Sequence, residues 1–290
     1  MKREQTMDFV KMHGLGNDYV VIGNEGGTDY SALSMAVCNR RLGIGADGLL
    51  VILPSRVADF RMRIFNPDGS EAEMCGNGIR CAVKYFVESR ADDIDKSVSF
   101  DLTVETYAGI RVVTVFREAD GAVGKMVVDM GRPTLTPSVI PVQLDGDRIL
   151  DYPLEVNDER YNICCVSVGN PHCVIFVDGE LDAVDVGGVG SKIENHPVFP
   201  RRTNVEFVQV IGRGEAGLRV WERGVGETLA CGTGACAAIV AGVLTGRLAE
   251  KAVVHLQGGD LEVHWPSMNS LRLTGVAATV FKGQWLMHTG

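Results

Sequence analysis

Short runs rich in β-branched and other apolar residues recur along the whole chain, with the length and composition of β-strands. In the first half, these runs cover residues 20–22, 49–52, 60–65, 112–116 and 127–130. In the second half, they cover residues 174–177, 205–210, 218–221 and 253–256, and a last strand is predicted over residues 278–285. The pattern therefore predicts two strand-rich halves of similar construction.

Three segments between these runs have the pattern of helices. The first covers residues 31–41, where Ser31 is the expected N-cap and Gly43 the expected stop. The other two cover residues 79–89 and 235–244, and the last of these is apolar on every side. Because a helix without a polar face must be enclosed, we predict a mixed α/β (α+β) fold of two pseudosymmetric domains. Each domain is expected to be a mixed β-sheet barrel around one central helix.

A duplicated motif supports the two-domain prediction. The sequence Cys-Gly-Xaa-Gly occurs at residues 75–78 and again at residues 231–234, in both cases just before a predicted helix. The offset of 156 residues between the two cysteines is also the offset between Arg63 and Arg219 upstream of them. We expect a first domain of residues 1–131, joined by the final strand at residues 276–290, and a second domain of residues 132–275.

Composition and charge argue against some classes of binding partner. The chain has 290 residues, of which 46% are hydrophobic and 22% charged, so it can bury a large core. Its formal net charge of −9 argues against nucleic acid or an anionic membrane as a partner. Apolar runs stay short of bilayer-spanning length, and the polar start has no signal-peptide core, so we expect a cytoplasmic protein.

Eight cysteines in a chain of this size do not indicate a disulfide framework. They also lack Cys-x-x-Cys spacing, and we expect no metal site. Six of them lie in apolar runs and are predicted to be buried thiols: Cys38, Cys81, Cys164, Cys165, Cys173 and Cys236.

The two motif cysteines, Cys75 and Cys231, have a setting that suits proton transfer. A helix N-terminus favours an anion, and glycines let a ligand approach the backbone closely. The anion can be a thiolate, whose formation a helix terminus favours, or the carboxylate of a substrate. One thiol in each half can hold two thiols face to face, so that one removes a proton from a carbon and the other returns a proton to the opposite face. Because ionising one thiol disfavours ionising the other, the pair is expected to share one proton.

The longer motifs around these cysteines resemble those of the diaminopimelate epimerase family over nearly the whole chain. The matching segments are residues 12–19, 65–70, 74–80, 169–172, 202–205, 221–224 and 230–234. Residues 1–6 fall outside the resemblance, which makes Met7 a candidate for the natural start.

The resemblance implies an isomerase that interconverts LL- and meso-2,6-diaminoheptanedioate without a cofactor, in lysine and peptidoglycan precursor biosynthesis. It also implies a homodimer. In that family the first cysteine is the proton donor and the second the proton acceptor for the LL substrate, which gives Cys75 and Cys231 these roles. His172 and Glu222 are implied as residues that modulate the thiol pKa values.

The resemblance further implies a set of residues that bind the two amino-acid ends of the substrate. They are Asn17, Asn66, Gly76, Asn77, Asn170, Asn204, Glu222, Arg223, Gly232 and Thr233. The helix-terminal members would hold the reacting carboxylate, Arg223 would bind the distal carboxylate, and Glu222 would pair with an ammonium group. Some relatives have glutamine where this chain has Gly48, so that side-chain contact is absent here.

Two alternatives remain open from the sequence. Another two-thiol racemase or epimerase, acting on proline, hydroxyproline or histidine, would keep both cysteines but have little use for Arg223 and the asparagines. A thiol redox protein would also use two close cysteines, but the motifs lack Cys-x-x-Cys spacing.

Overall fold

The computed structural model of the chain describes residues 5–72, 75–90, 95, 97–157 and 159–287. Met74, the first residue of one motif, and the last three residues of the expected final strand segment lie outside the described residues. The chain forms two compact units, Met1–Val128 with Gly275–Gly290, and Asp129–Thr274.

The first unit is built from strands and two helices. Its strands are β1 (Gln5–Gly14), β2 (Asn17–Ile22), β3 (Gly48–Leu53), β4 (Phe60–Phe65), β5 (Glu71–Ala72), β6 (Ser99–Thr106), β7 (Gly109–Arg117) and β8 (Val123–Gly131), which enters the second unit. Its helices are α1 (Tyr30–Val37) and α2 (Gly76–Ser89).

The second unit has a similar order of strands and helices, with an additional strand at its start. Its strands are β9 (Tyr152–Val156), β10 (Glu159–Ser167), β11 (Pro171–Val177), β12 (Asn204–Gly212), β13 (Glu215–Glu222), β14 (Gly226–Thr228), β15 (Lys251–Leu256), β16 (Gly259–His264) and β17 (Leu271–Gly275). Its helices are α3 (Val186–Glu194) and α4 (Gly232–Leu244), with short 3-10 turns at Leu181–Ala183 and Pro266–Met268. The chain then returns to the first unit as β18 (Ala278–Met287).

The same pattern of strand pairing occurs within each unit. In the first, β1 pairs antiparallel with β18 and β2, β2 runs parallel to β3, and β4 pairs with β3, β5 and β6. In the second, β10 pairs antiparallel with β9 and β11, β11 runs parallel to β12, and β13 pairs with β12, β14 and β15. A parallel pair followed by an antiparallel partner therefore occurs once in each unit, and it leads to the helix with the motif cysteine.

Both central helices are covered by strands of their own unit. Helix α2 contacts β1, β2, β3 and β4, and helix α4 contacts β10, β11, β12, β15 and β16. Helix α4 is buried along nearly its whole length, from Gly232 to Gly242 with the exception of Thr233. This confirms the prediction that the helix without a polar face is enclosed. The six cysteines assigned to the core are also buried.

An ion pair between equivalent residues shows how closely the halves repeat. Arg63 on β4 binds Glu71 with a 2.7 Å nitrogen–oxygen distance, and Arg219 on β13 binds Glu227 at 2.8 Å. Both pairs connect a strand to the short strand that follows it, and they are separated by the same 156 residues as the cysteines. The duplication thus extends from the sequence motif to individual side-chain contacts.

The first predicted helix was wrong at both ends. Helix α1 begins at Tyr30 because Asp29 is its N-cap and accepts hydrogen bonds from the amides of Ser31 and Ala32. Ser31 instead donates its hydroxyl to the Gly69 carbonyl at 2.8 Å. The helix ends at Val37, since the Asn39 side chain accepts from the amides of residues 41 and 42, both at 2.9 Å.

The other two predicted helices were placed correctly but begin earlier than expected. Helices α2 and α4 start at Gly76 and Gly232, three residues before the predicted starts. Helix α3 was not predicted, because its glycine-rich sequence has low helix propensity. It forms because Asp185 caps it, and Gly190 lets it pack where a Cβ atom would lie 2.7 Å from Trp221. Within the described ranges, every helix is too short or too polar to traverse a bilayer.

Candidate active site

Each motif cysteine is the N-cap residue of its helix. Cys75 precedes α2 with φ −140° and ψ 123°, and Cys231 precedes α4 with φ −123° and ψ 109°. The backbone is thus extended at both cysteines and becomes helical at the following glycine. Both sulfur atoms consequently lie at the end of a helix that favours negative charge, as the sequence predicted.

In the first unit, the sulfur of Cys75 contacts a tyrosine hydroxyl. Cys75 is partly exposed, and its Sγ lies 2.9 Å from the Tyr19 hydroxyl oxygen. Tyr19 lies on β2 and is only 3% exposed. It stands opposite Gly48 in the parallel β2–β3 pair, where a Cβ atom would lie 3.3 Å from the tyrosine ring. The sequence analysis did not select Tyr19 as a site residue.

The first turn of α2 is held by a buried arginine. Arg80, which is fully buried, donates from Nη2 to Asn77 Oδ1 at 2.8 Å and from Nη1 to the Gly76 carbonyl at 2.9 Å. Its Nε also donates to the Val276 carbonyl at 3.2 Å. Gly14 packs against this turn, since a Cβ atom there would lie 3.1 Å from the Asn77 carbonyl oxygen. The helix start that carries Cys75 is therefore rigidly supported.

Two asparagines of the first unit differ in how their amides are used. Within the described residues, Asn17 Oδ1 is buried and has no hydrogen-bond donor, so it is available to accept from a ligand. Asn66 follows β4 and donates from Nδ2 to the Ser70 hydroxyl at 2.9 Å. A turn follows at Asp68–Gly69, with Gly69 at φ +86° and Asp68 accepting from the Ser70 amide. Asn66 is thus partly engaged in that turn.

In the second unit, the sulfur of Cys231 is buried and hydrogen-bonded. Cys231 is 5% exposed, and its Sγ accepts from the Gly234 amide at 3.4 Å. The Thr233 hydroxyl lies 3.4 Å from the same sulfur, and that hydroxyl accepts from Asn170 Nδ2 at 3.3 Å. The structure therefore brings Asn170, Thr233 and Cys231 together, as predicted site residues should be.

A buried histidine–carboxylate pair continues this network. His172 Nε2 lies 2.9 Å from Asn170 Oδ1, and its Nδ1 lies 2.7 Å from Glu206 Oε1. The His172 and Glu206 side chains are both fully buried. Burial raises the pKa of the Glu206 carboxyl, although His172 acts in the opposite direction. A chain of contacts thus runs from Glu206 through His172, Asn170 and Thr233 to the Cys231 sulfur.

Glu206 is a polar residue of this site that the sequence analysis missed. Its other carboxylate oxygen, Oε2, is buried without a donor in the part of the chain that the structure describes. Gly234 makes room for it, because a Cβ atom at Gly234 would lie 2.9 Å from Glu206 Oε1. The available signal was a carboxylate inside the apolar run Val205–Val208, which is buried on both faces of β12.

A second carboxyl group acts on the same thiol through its charge. Glu222, at the end of β13, accepts a hydrogen bond from the Thr228 hydroxyl. Burial raises the pKa of the Glu222 carboxyl, and the hydrogen bond from Thr228 partly opposes that rise. The negative charge of Glu222 in turn raises the pKa of the Cys231 thiol.

Burial at Cys231 acts against the effect of the helix N-terminus on the thiol. Burial raises the pKa of the Cys231 thiol well above its ordinary value, and the charges of Glu222 and Glu206 add to this rise. Hydrogen bonds from Thr233 and the Gly234 amide act in the opposite direction but do not overcome it. The surroundings of Cys231 therefore favour its thiol form over the thiolate.

The two remaining predicted residues are Asn204, at the start of β12, and Arg223, at the turn after β13, and they are hydrogen-bonded to each other. Asn204 is 4% exposed, donates to the Pro171 carbonyl at 2.8 Å and accepts from the Arg223 amide at 2.9 Å. Both ends of its amide thus bind the protein backbone and fix this turn. The guanidinium of Arg223 is exposed and donates to the Arg201 carbonyl at 3.2 Å.

Comparison with known sequences identifies the family. The profile of the diaminopimelate epimerase family matches residues 9–136 and 164–280. The chain is 52% identical to the diaminopimelate epimerase of Moorella thermoacetica over 283 residues, covering 96% of this chain and 99% of that protein. It is 49% identical to the one of Pelotomaculum thermopropionicum over 287 residues, covering 98% and 100%.

Solved structures of low sequence identity share the fold. A hydroxyproline epimerase from Agrobacterium vitis with bound trans-4-hydroxy-L-proline aligns with a TM-score of 0.73 at 16% identity, covering 98% of this chain and 93% of that one. A probable proline racemase from Agrobacterium radiobacter aligns with a TM-score of 0.72 at 17% identity, covering 97% and 93%. The chain belongs to the diaminopimelate epimerase family, has its two-domain α/β fold, and is an isomerase of the epimerase type.

Proposed function

We propose that this member of the diaminopimelate epimerase family interconverts LL- and meso-2,6-diaminoheptanedioate. The observation that carries the proposal is the paired placement of Cys75 and Cys231, each as the N-cap of a central helix in a duplicated unit. The relatives at 52% and 49% identity bear the name of this activity and align along nearly their whole lengths.

The proposed mechanism uses one thiol on each face of the reacting carbon. For the LL substrate, the thiolate of Cys231 takes the Cα proton, and the electron pair of that bond delocalises into the adjacent carboxylate. The thiol of Cys75 then delivers its proton to the opposite face, which inverts the centre and leaves Cys75 as the thiolate. In the reverse direction the two residues exchange roles, so the reaction needs no cofactor.

Glu222 and His172 are proposed to set the ionisation of Cys231. Because the surroundings of Cys231 favour the thiol form, it must lose a proton before it acts as a base. The charge of Glu222 acts on the Cys231 thiol, and the pKa of the Glu222 carboxyl is raised, so Glu222 is a suitable acceptor for that proton. His172 acts from further away, through Asn170 and Thr233, and orients the hydroxyl that contacts the sulfur.

The reacting carboxylate is proposed to bind at the first turns of the two helices. The amides of Gly76, Asn77, Gly232 and Thr233 are at helix N-termini, where a helix lacks internal acceptors. Negative charge grows on the carboxylate as the proton leaves Cα. The amides in the turn held by Arg80 are fixed before the reaction, so they can stabilise that charge without reorganising.

The other substrate contacts are proposed on the basis of the family resemblance. They are Asn17, Asn66, Asn170, Asn204, Glu222 and Arg223. The acceptor of Asn17 that lacks a donor within the described chain supports binding of an ammonium group. The exposed guanidinium of Arg223 supports binding of the distal carboxylate. Asn204 contributes by fixing the Glu222–Arg223 turn.

The family resemblance also supports proposals on the biological setting. We propose a cytoplasmic homodimer that acts in lysine and peptidoglycan precursor biosynthesis, and domains with the limits expected from the sequence. Size-exclusion chromatography with light scattering of the purified protein measures the oligomeric state, and a monomer at all concentrations contradicts the dimer.

The function is tested by incubating the reduced protein with LL-diaminopimelate in D2O. NMR and chiral chromatography follow deuterium at Cα and the stereochemistry of the product together. Meso product with deuterium at the inverted centre, formed without added cofactor, is the expected result. If folded, fully reduced protein leaves this substrate unchanged but racemises proline, hydroxyproline or histidine, the substrate proposal is wrong. If it turns over none of these but cycles between dithiol and disulfide, the redox alternative is correct.

A further inference from the structure

We propose that Tyr19 is a further catalytic residue, whose phenol donates a hydrogen bond to the thiolate of Cys75. The inference rests on the proposed acid–base role of Cys75. Its basis is the 2.9 Å contact between the Tyr19 hydroxyl oxygen and Cys75 Sγ, well inside the limit for hydrogen bonds to sulfur. Within the described ranges, the Tyr19 hydroxyl is the hydrogen-bond partner of this sulfur, whereas the sulfur of Cys231 bonds to the Thr233 hydroxyl and the Gly234 amide.

The hydroxyl is held in place by the strands around it. Tyr19 is 3% exposed and pairs with Gly48 across the parallel strands β2 and β3. The adjacent residue, Asp18, binds Lys11 at 2.6 Å and Arg40 at 2.7 Å, and its carbonyl accepts from the Asp47 amide. These bonds tie the start of β2 to the segment before β3. A ring packed on such a framework has little freedom to turn its hydroxyl away from Cys75.

Gly48 is part of the same arrangement. A Cβ atom there would lie 3.3 Å from Tyr19 Cδ1 and 3.1 Å from the Phe65 carbonyl oxygen. Any larger residue must therefore displace the tyrosine ring or the facing strand. The absence of a side chain at position 48 leaves room for the Tyr19 ring beside β3.

The duplication gives an independent argument for a functional role. In the second unit, His172 occupies the corresponding place: it follows Asn170 by two residues as Tyr19 follows Asn17, and it pairs with Asn204 across parallel strands β11 and β12. His172 connects to Cys231 through Asn170 and Thr233. The same strand position therefore acts on the motif cysteine in both units, directly in the first and through two residues in the second.

The chemistry of a phenol suits this place. A phenol can both donate and accept a hydrogen bond, so it serves both states of the neighbouring sulfur. When Cys75 is the thiolate, the phenol donates to it, and a hydrogen bond to a charged atom is stronger than one between neutral groups. When Cys75 carries the proton, its S–H can point to the phenol oxygen. The proton stays on sulfur or passes to the substrate carbon, and none is lost to Tyr19.

The test is Tyr19→Phe, with Tyr30→Phe as the matched control. Tyr30 is also buried in the first unit, but its hydroxyl bonds to Asn24 and Glu25 and not to a thiol. The measured quantity is the rate of alkylation of Cys75 by iodoacetamide at pH 7, followed at the Cys75 peptide by mass spectrometry. We expect Tyr19→Phe to slow this rate about fivefold, since the variant lacks the hydroxyl that contacts the sulfur and can donate a hydrogen bond to it. Tyr30→Phe should leave it unchanged.

Turnover provides the second readout. We expect Tyr19→Phe to lower kcat for epimerisation about tenfold with little change in KM, because the hydrogen bond matters in the ionised state of Cys75. An alkylation rate and a kcat that both equal those of Tyr30→Phe overturn the inference. The substrate proposal can fail while the inference on Tyr19 holds. In that case the wild-type protein does not turn over diaminopimelate, but alkylation of Cys75 is still slower in Tyr19→Phe than in the wild type.

Two further variants guard against a folding artefact. Incorporation of 3-fluorotyrosine at position 19 keeps the ring and makes the phenol a stronger donor, so the alkylation rate of Cys75 should change in the opposite direction to that in Tyr19→Phe. Gly48→Ala should displace the ring and slow alkylation, but should add nothing in the Tyr19→Phe background. Equal alkylation by the fluorotyrosine and wild-type proteins, or additive effects of the two substitutions, overturns the inference.

Discussion

The two units are built alike but surround their cysteines differently. In both, a cysteine caps a central helix and an arginine–glutamate pair joins the same two strands. The groups around the two sulfur atoms, however, are different. Cys75 is partly exposed beside a phenol, whereas Cys231 is buried beside the carboxyl of Glu222 and close to a second one, Glu206.

The two units share the fold that positions each cysteine, and they differ in the groups that surround its sulfur atom. A two-base reaction needs one acid and one base at any moment, so two identical thiol environments would be a disadvantage. Burial and the charges of Glu222 and Glu206 raise the pKa of the Cys231 thiol, whereas the sulfur of Cys75 contacts the hydroxyl of Tyr19. The shared fold sets the position of each cysteine at a helix N-terminus, and the groups around each sulfur differ.

Removal of either sulfur gives the largest expected effect. Cys75→Ala and Cys231→Ala should each lower epimerisation by at least about 1,000-fold, because each deletes one of the two proton-transfer groups. Chiral chromatography of the diaminopimelate product measures the loss. Equal activity of the wild type and either variant refutes the assignment of two bases.

Matched controls separate loss of the thiol from loss of structure. Cys81→Ala, a substitution in the buried part of α2, should retain activity. The conservative Cys75→Ser and Cys231→Ser variants should still eliminate hydrogen halide from a halogenated substrate analogue, since elimination needs only one base. If the serine variants are inactive in this assay and Cys81→Ala is inactive as well, the effects are structural.

Glu222→Gln should sharpen the comparison, because it removes the carboxyl that has no counterpart at Cys75. We expect kcat to fall about 100-fold, since the thiol of Cys231 loses its proton acceptor. Alkylation of Cys231 should become faster at the same time, because the negative charge of Glu222 contributes to the raised pKa of this thiol. Opposite changes in turnover and alkylation are the diagnostic result.

The control for this experiment is Glu227→Gln, five residues away. Glu227 binds Arg219 and does not contact the thiol, so both readouts should stay at their wild-type values. If Glu222→Gln slows turnover and alkylation together, Glu222 acts on access to the site and not on the proton of Cys231.

Glu206→Gln should change how the free energy of unfolding depends on pH, because it removes the buried carboxyl group that contacts His172. The folded pKa of Glu206 is raised above 4.5, its ordinary value, so its protonated form is favoured by folding. That contribution is fully present below pH 4.5 and is lost as pH rises through the folded pKa. The variant lacks the group, so its free energy of unfolding should improve relative to the wild type between pH 5 and pH 8. Urea unfolding at several pH values measures this, and a difference that is constant or moves the other way contradicts it.

The sequence predicted those features of the site that depend on local pattern. Cysteine followed by glycines indicated helix starts at Cys75 and Cys231, and the run at residues 235–244 indicated an enclosed helix because every side of it is apolar. Strand β4 was predicted with its observed limits, since Phe60–Phe65 alternates buried and partly exposed residues. Local pattern was insufficient for α1, where the side chain of Asn39 competes for backbone amides and ends the helix early.

Contacts between distant strands could not be predicted in the same way. Tyr19 reads as an ordinary aromatic residue in a strand, and its contact with Cys75 depends on strand register and on the empty space at Gly48. Glu206 reads as an interruption of an apolar run, and its role appears only when His172 lies beside it on the parallel strand β11. The raised pKa of Cys231 has the same origin, because burial depends on how the strands pack around α4.

The two arginine–glutamate pairs give the smallest expected effects, and these should be equal. Glu71→Gln and Glu227→Gln each remove the charge from a pair whose side chains are partly exposed, so each should lower the free energy of unfolding by less than about 1 kcal/mol. Neither pair contacts a motif cysteine, so kcat should not change. Urea unfolding and epimerase assays of the two variants measure both quantities. A loss of turnover in only one of them means that the asymmetry between the units extends beyond the surroundings of the sulfur atoms and into the strands that support them.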